Sequence, residues 1–126
     1  RVHPSANANW LYKFIDRNFF RTDDLPLYDS LDKCSLVIGP TSTVFMEALY
    51  KGLNYMVYEP GAVIGLDILN DTLVEPFDGS DKRVPFARTQ EELYTLLKEN
   101  VLANHSIFHE YIHPEYNIEF IKSLIA

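Results

Sequence analysis

Residues 34–60 read CSLVIGPTSTVFMEALYKGLNYMVYEP, and the order of residue types in this stretch decides the fold. Leu36-Val37-Ile38 is a short apolar run, as expected of a strand buried on both faces, and Gly39-Pro40 ends it. Thr41, Ser42 and Thr43 set hydroxyls ahead of Val44 to Tyr50, a largely apolar segment of helical length that Lys51 and Gly52 close with a cation and a C-cap glycine. Tyr55 to Tyr58 resumes as a second apolar strand. The stretch predicts a β-loop-α-β unit with parallel strands and a right-handed crossover.

A unit of this kind has a working end. Ligands of open α/β sheets lie beyond the carboxyl ends of the strands, where helix N-termini present unpaired N–H groups. Thr41-Ser42-Thr43 lies there, either to hold a phosphate or simply to cap the helix. Glu47 is the only charged residue between Ser35 and Tyr50. A capping box does not account for it, because caps at Ser42 or Thr43 put the third helical position at Phe45 or Met46. Two readings remain: an i,i+4 pair with Lys51, or an acceptor for a ligand's vicinal hydroxyls.

Working outward, the chain has 126 residues, 47% of them hydrophobic, enough for one globular domain with a true core. The net charge of −7, with no basic cluster larger than Lys82-Arg83, argues against nucleic acid or an anionic membrane surface as a direct partner. Cys34 is the only cysteine, so an internal disulfide is excluded; a reducing cytosol fits, and a small core position at a strand start is its expected role. No apolar run approaches a membrane span.

Before the central unit, Val2-His3-Pro4 reads as a strand end that puts His3 at a carboxyl edge. A helix is expected over about 9–16, a short strand at Phe19-Phe20-Arg21, and a brief helix from Leu25 to Leu31 capped by Asp23 or Asp24 with Pro26 at its first position. After it, Glu59-Pro60 is another strand end that places a carboxylate on the same edge. Residues 61–70 read as a loop or weak helix covering the site. Thr72-Leu73-Val74 reads as extended, residues 77–83 as a polar loop, and Val84 to Ala87 as an edge strand because of Pro85. Thr89 caps the clearest helix, with Glu92 at its third position and Leu93, Leu96 and Leu97 as its apolar stripe. A segment from Ser106 to Ile112 and a last helix near Glu115 to Ile125 flank Pro114. The fold class is therefore α/β, a Rossmann-like three-layer domain with a mainly parallel sheet flanked by helices.

His105, His109 and His113 recur at i, i+4 and i+8, a spacing a metal can use, but with no cysteine among them surface or packing roles are the default and no metal site is expected. No GxGxxG, no GxxxxGK[ST] and no GxSxG occurs, which disfavours a dinucleotide fold, a P-loop and a hydrolase elbow. Asp78-Gly79-Ser80-Asp81 reads as a solvated turn.

His3-Pro4, Leu25 to Leu31, Leu36 to Val44 with Glu47-Ala48, Gly52, and Tyr58-Glu59-Pro60, taken in order, resemble the C-terminal, donor-binding half of GT-B glycosyltransferases. The capsule and teichoic-acid type, including CDP-glycerol glycerophosphotransferases, is the most similar. The resemblance implies that the loop Gly39 to Thr43 lines a nucleotide-diphosphate cleft, with Ser42 and Thr43 on the diphosphate. It also implies that Glu47 accepts from ribose hydroxyls, that Glu59 lies on the binding edge, and that His3 stands at the reaction centre. The implied ligand is a UDP-, CDP- or GDP-linked sugar used in bacterial cell-surface polysaccharide synthesis, with neither metal nor cofactor. The implied context is a C-terminal piece of a longer cytoplasmic enzyme, inactive without its N-terminal acceptor domain and peripherally associated with the inner face of the membrane. A glycerophosphotransferase, a sugar-nucleotide epimerase half-domain and a non-catalytic protein-binding module are the alternatives. Retaining members often carry a second glutamate eight positions after the first; Tyr55 stands there, so the stereochemical class stays open.

Overall fold

The computed structural model describes residues 16, 18, 23–60, 73–111 and 123. The chain divides into two compact units, Arg1–Cys34 and Ser35–Ala126. His3, the expected elements over 2–16 and 19–21, the covering segment 61–70, His113 and nearly all of the last helix lie outside the described residues; Ser123 is helical.

In the first unit, helix α1 spans Leu27–Leu31, with Pro26 as its N-cap. The helix was expected to begin at Leu25 under an aspartate cap. Instead Asp23 Oδ1 accepts the Leu25 N–H at 3.0 Å in a turn before the helix, and Pro26 sits at an extended ψ of 146°. The aspartate thus satisfies a turn rather than the first helical amides. Cys34 is exposed rather than a core residue, because the chain turns at 32–35 and the thiol donates to the Leu31 carbonyl at 3.4 Å.

The second unit carries the sheet. Strand β1 (Leu36–Gly39), helix α2 (Val44–Tyr50) and strand β2 (Asn54–Tyr58) follow in order, then β3 (Phe86–Ala87), helix α3 (Gln90–Lys98) and helix α4 (Ser106–Tyr111). The sheet order is β1-β2-β3 and both pairings are parallel, with Val37 opposite Tyr55 and Val57 opposite Phe86. The fold is α/β and Rossmann-like, a small parallel sheet flanked by helices.

β2 is the strand buried on both faces: Tyr55, Met56 and Val57 are each at most 1% exposed. β1 was expected in that role, but it is an edge of the described sheet and leaves Ile38 44% exposed. Side chains alternate across a strand, so Tyr55 and Val57 share a face, and there they join Phe45, Ala48 and Leu49 of α2 with Val84, Ala103 and Ile107. β3 is the opposite edge, as Pro85 predicts: the proline gives its carbonyl to the Val57 N–H at 2.8 Å and needs no donor of its own. Leu73-Val74 is not a strand; the Val74 carbonyl closes a turn onto the Phe77 N–H.

Both longer helices end on the same device. Gly52 at φ 77° and Asn100 at φ 51° take the left-handed position after the C-cap, and the next N–H of each returns to a carbonyl of the last turn, Leu53 to Ala48 and Val101 to Leu96. At its start, α3 is capped as predicted, by Thr89 Oγ1 accepting the Glu92 N–H at 3.1 Å. Its apolar stripe is only partly used. Leu93 and Leu96 are half-buried, whereas Leu97 and Tyr94 are 41% and 66% exposed. Arg83 joins the segment before β3 to α4 by pairing with both Asp81 and Glu110, and it holds both carboxyls below the usual range. Asp78 and Ser80 form the expected polar turn.

The sequence pattern had no reading for Asn54. Its amide donates to the Val101 carbonyl at 3.0 Å and accepts the Ala103 N–H at 2.8 Å, fixing the α3–α4 connection to the start of β2. Asn54→Ala strands both backbone groups, and we expect a loss of about 1–3 kcal/mol. Urea unfolding checks this as a lowered midpoint with an unchanged slope.

Candidate functional site

Because the three strands are parallel, the loops that follow them meet at one edge. Pro40 to Thr43 follows β1, Glu59 follows β2 and Arg88 follows β3. Hydrogen bonds join these ends into a continuous rim. The Thr41 N–H donates to Glu59 Oε1 at 2.6 Å, and the Glu59 N–H donates to the Ala87 carbonyl at 2.9 Å.

Tyr55 supports the rim from below. Its ring stands edge-on to Phe45 with centroids 5.3 Å apart, and its hydroxyl donates to the Pro40 carbonyl at 2.7 Å. Burial, and behind it the nearby Glu59 charge, push the phenol from 10.0 up to about 12. Gly39 is required by proximity: a Cβ there would stand 2.6 Å from Tyr55 Oη.

The three hydroxyl residues fare differently. Ser42 Oγ accepts the Val44 N–H at 3.3 Å, so it is this serine that caps α2. Thr43 occupies the N-cap position with helical dihedrals and makes no side-chain cap bond; it is exposed. Thr41 Oγ1 is buried and has no hydrogen-bond partner among the described residues.

Glu47 Oε2 is in the same condition, buried and without a hydrogen-bond partner among the described residues. Arg83 pairs with Asp81 and with Glu110, and a pair of Glu47 with Lys51, one of the two readings left open by the sequence, is not seen beside them among the described residues. Glu47 lies one turn after Thr43, so the two share a face of α2.

The geometry thus gathers Gly39, Thr41, Ser42, Thr43, Glu47 and Glu59 around one edge or the helix that rises to it. His3, the one candidate catalytic group, lies outside the described residues. Comparison with family models, with curated proteins and with solved structures finds no match. Function therefore has to be argued from the site. Among the described residues no group of three or more His, Cys, Asp or Glu is placed to hold a metal ion, and no helix is long and apolar enough to cross a membrane. His105 precedes α4 and His109 lies on it, edge-on to Phe108.

Arg88 was missed by the sequence reading. A cation directly after the expected edge strand was the available signal, but Thr89 and Glu92 drew the stretch into a helix cap. The guanidinium lies 5.2 Å from the centre of the Phe86 ring, and Nη2 donates to the Asp78 carbonyl at 3.1 Å.

Two outcomes follow. Gly39→Ala, which drives a methyl into Tyr55 Oη, is expected to cost about 1–3 kcal/mol, and the cost should shrink in a Tyr55→Phe background because the opposing atom is gone; a double-mutant cycle by urea unfolding measures it. A phenol whose folded pKa exceeds its unfolded one contributes stability at lower pH that is lost as pH rises through the window from 10.0 to about 12. The midpoint of unfolding should fall across that window in the wild type and fall less in Tyr55→Phe.

Proposed function

We propose that the carboxyl edge of this sheet binds the nucleoside-diphosphate part of an activated sugar, as the donor half of a glycosyltransferase of bacterial cell-surface polysaccharide synthesis. One observation carries the reading: Glu47 Oε2, a buried carboxylate oxygen without a partner among the described residues, on the helix that rises from the Thr41–Thr43 loop. A buried acceptor left unmet is costly, and a ligand hydroxyl is a donor that meets it. Thr41 Oγ1, buried and likewise without a partner among the described residues, adds a second contact for the same ligand. The parallel β1-α2-β2 unit puts both toward the end where α/β sheets take ligands, and the ordered motifs from Leu36 to Pro60 resemble the GT-B donor half. Glycerophosphotransfer and sugar-nucleotide epimerisation use the same kind of cleft and differ in what the acceptor side supplies.

A non-catalytic α/β module is the second reading, and Glu59 favours it. Its carboxylate satisfies the Thr41 N–H internally, as a loop with no ligand requires.

Calorimetric titration of the chain with CDP, UDP, GDP and CMP separates the two. The first reading expects saturable binding of at least one diphosphate and a rise in melting temperature with it. Glu47→Gln should then weaken the best nucleotide by about 1.5–3 kcal/mol, roughly one to two orders of magnitude, through loss of charge-assisted hydrogen bonds. Equal affinities for the wild type and the variant would remove Glu47 from the site.

A further inference from the structure

We infer that Glu59 is a positioning residue: with the Tyr55 hydroxyl it clamps one peptide group, Pro40–Thr41, and so fixes the Thr41 hydroxyl for a bound ligand, a role that rests on the reading of the edge given above. The clamp consists of two bonds. The Pro40 carbonyl accepts from Tyr55 Oη at 2.7 Å, and the Thr41 N–H donates to Glu59 Oε1 at 2.6 Å. That carbonyl and that N–H are the two polar ends of a single peptide group. Both partners come from β2 or from the residue directly after it.

A peptide group is planar, so holding its oxygen and its hydrogen also holds the Cα atoms on either side, one of which belongs to Thr41. The pyrrolidine ring of Pro40 restricts φ on the other side. Gly39 before it sits where a Cβ would stand 2.6 Å from Tyr55 Oη. Three successive residues are thus constrained by Tyr55 and Glu59. The two halves of the clamp also support each other. Burial first, and the Glu59 charge second, keep the Tyr55 phenol protonated, and that proton is the one Pro40 accepts.

A direct contact between Glu59 and the ligand is the other role open to this carboxylate. Its Oε1 is already engaged, and the bond takes up the Thr41 N–H, a donor that an anion would otherwise use. A bond of this kind serves the ligand through the geometry it fixes, because a loop held in place before binding has less freedom to lose. The group it leaves free is Thr41 Oγ1, which is buried, lacks a hydrogen-bond partner among the described residues and belongs to the residue that the clamp holds. Neither neighbour offers the same: Ser42 Oγ accepts the Val44 N–H, and Thr43 is exposed. A hydroxyl both donates and accepts, so Thr41 can meet a hydroxyl or a phosphate oxygen of a nucleoside diphosphate.

The test compares the full wild-type chain with Glu59→Ala, Glu59→Gln and Tyr55→Phe. Amide hydrogen exchange followed by NMR reads the clamp at Thr41 without any ligand, and calorimetric titration with CDP, UDP and GDP reads the site. Glu59→Ala is expected to exchange about tenfold faster at Thr41 and to bind the best diphosphate about tenfold more weakly. Tyr55→Phe, which releases the other end of the peptide and leaves the Glu59 charge in place, should move both readings in the same direction. Glu59→Gln keeps an acceptor at the same reach and should recover both to within about threefold of the wild type. Unchanged or tighter binding by Glu59→Ala overturns the positioning role and leaves the site standing, as does unchanged exchange at Thr41 in that variant. A loss in Glu59→Ala that Tyr55→Phe does not share overturns it too, since Glu59 then acts on the ligand directly. A wild type that binds none of the three diphosphates overturns the site and the role together. If Glu59→Ala does not fold, Glu59→Gln and Tyr55→Phe decide, and affinity that does not follow Thr41 exchange overturns the role.

Discussion

The hydroxyl of Tyr55 against the carbonyl of Pro40 is the contact on which the upper end of the sheet depends. Tyr55 starts low on β2, opposite Val37, yet its ring is long enough to pass Phe45 and reach the loop after β1. A buried phenol needs a partner, and a carbonyl in a turn beyond a strand end is one. The cost falls on Gly39, which cannot carry a Cβ with the hydroxyl so close. One aromatic residue thereby braces the turn that leads into α2 and explains the glycine at the strand end. The same enclosure keeps the phenol protonated, since ionising it would bury a second negative charge near Glu59.

Above that support, the edge is organised by main-chain valence. A parallel sheet leaves amides at its carboxyl end with no partner in the ladder. Glu59 takes the Thr41 amide with its side chain and gives its own amide to Ala87, so β2 binds both neighbours at once. Ser42 covers the Val44 amide. Among side-chain atoms of the described residues, the buried oxygens left unmet are Thr41 Oγ1 and Glu47 Oε2.

The β1-α2-β2 unit was legible because each of its signals is local: an apolar run, a Gly-Pro stop, hydroxyls, a helix of the right length and Gly52 after it. The α3 cap was legible for the same reason, as Thr89 and Glu92 lie on one turn. What sequence reading missed depends on neighbours. Periodicity cannot show whether β1 or β2 is central, so the strand buried on both faces was assigned to the wrong partner of the pair. Leu97 has the spacing of a core residue, yet it is 41% exposed. Asn54 and Arg88 act across long separations in sequence or across the sheet, to Val101 and Ala103 in one case and to Asp78 and Phe86 in the other. Of the candidate site, the loop, Glu47 and Glu59 could be read, whereas the bond from the Thr41 amide to Glu59 could not.

The arrangement of charge along the edge also constrains how a ligand can lie. A carboxylate oxygen such as Glu47 Oε2 accepts only from donors. On the proposed reading, hydroxyl-bearing parts of a ligand are drawn toward α2, and Glu59 is already bound to Thr41. A ligand lying the other way would set phosphate oxygens against the buried Oε2 of Glu47, a repulsion that low local dielectric strengthens. On the proposed reading the nucleoside hydroxyls therefore lie toward α2 and the diphosphate away from Glu47.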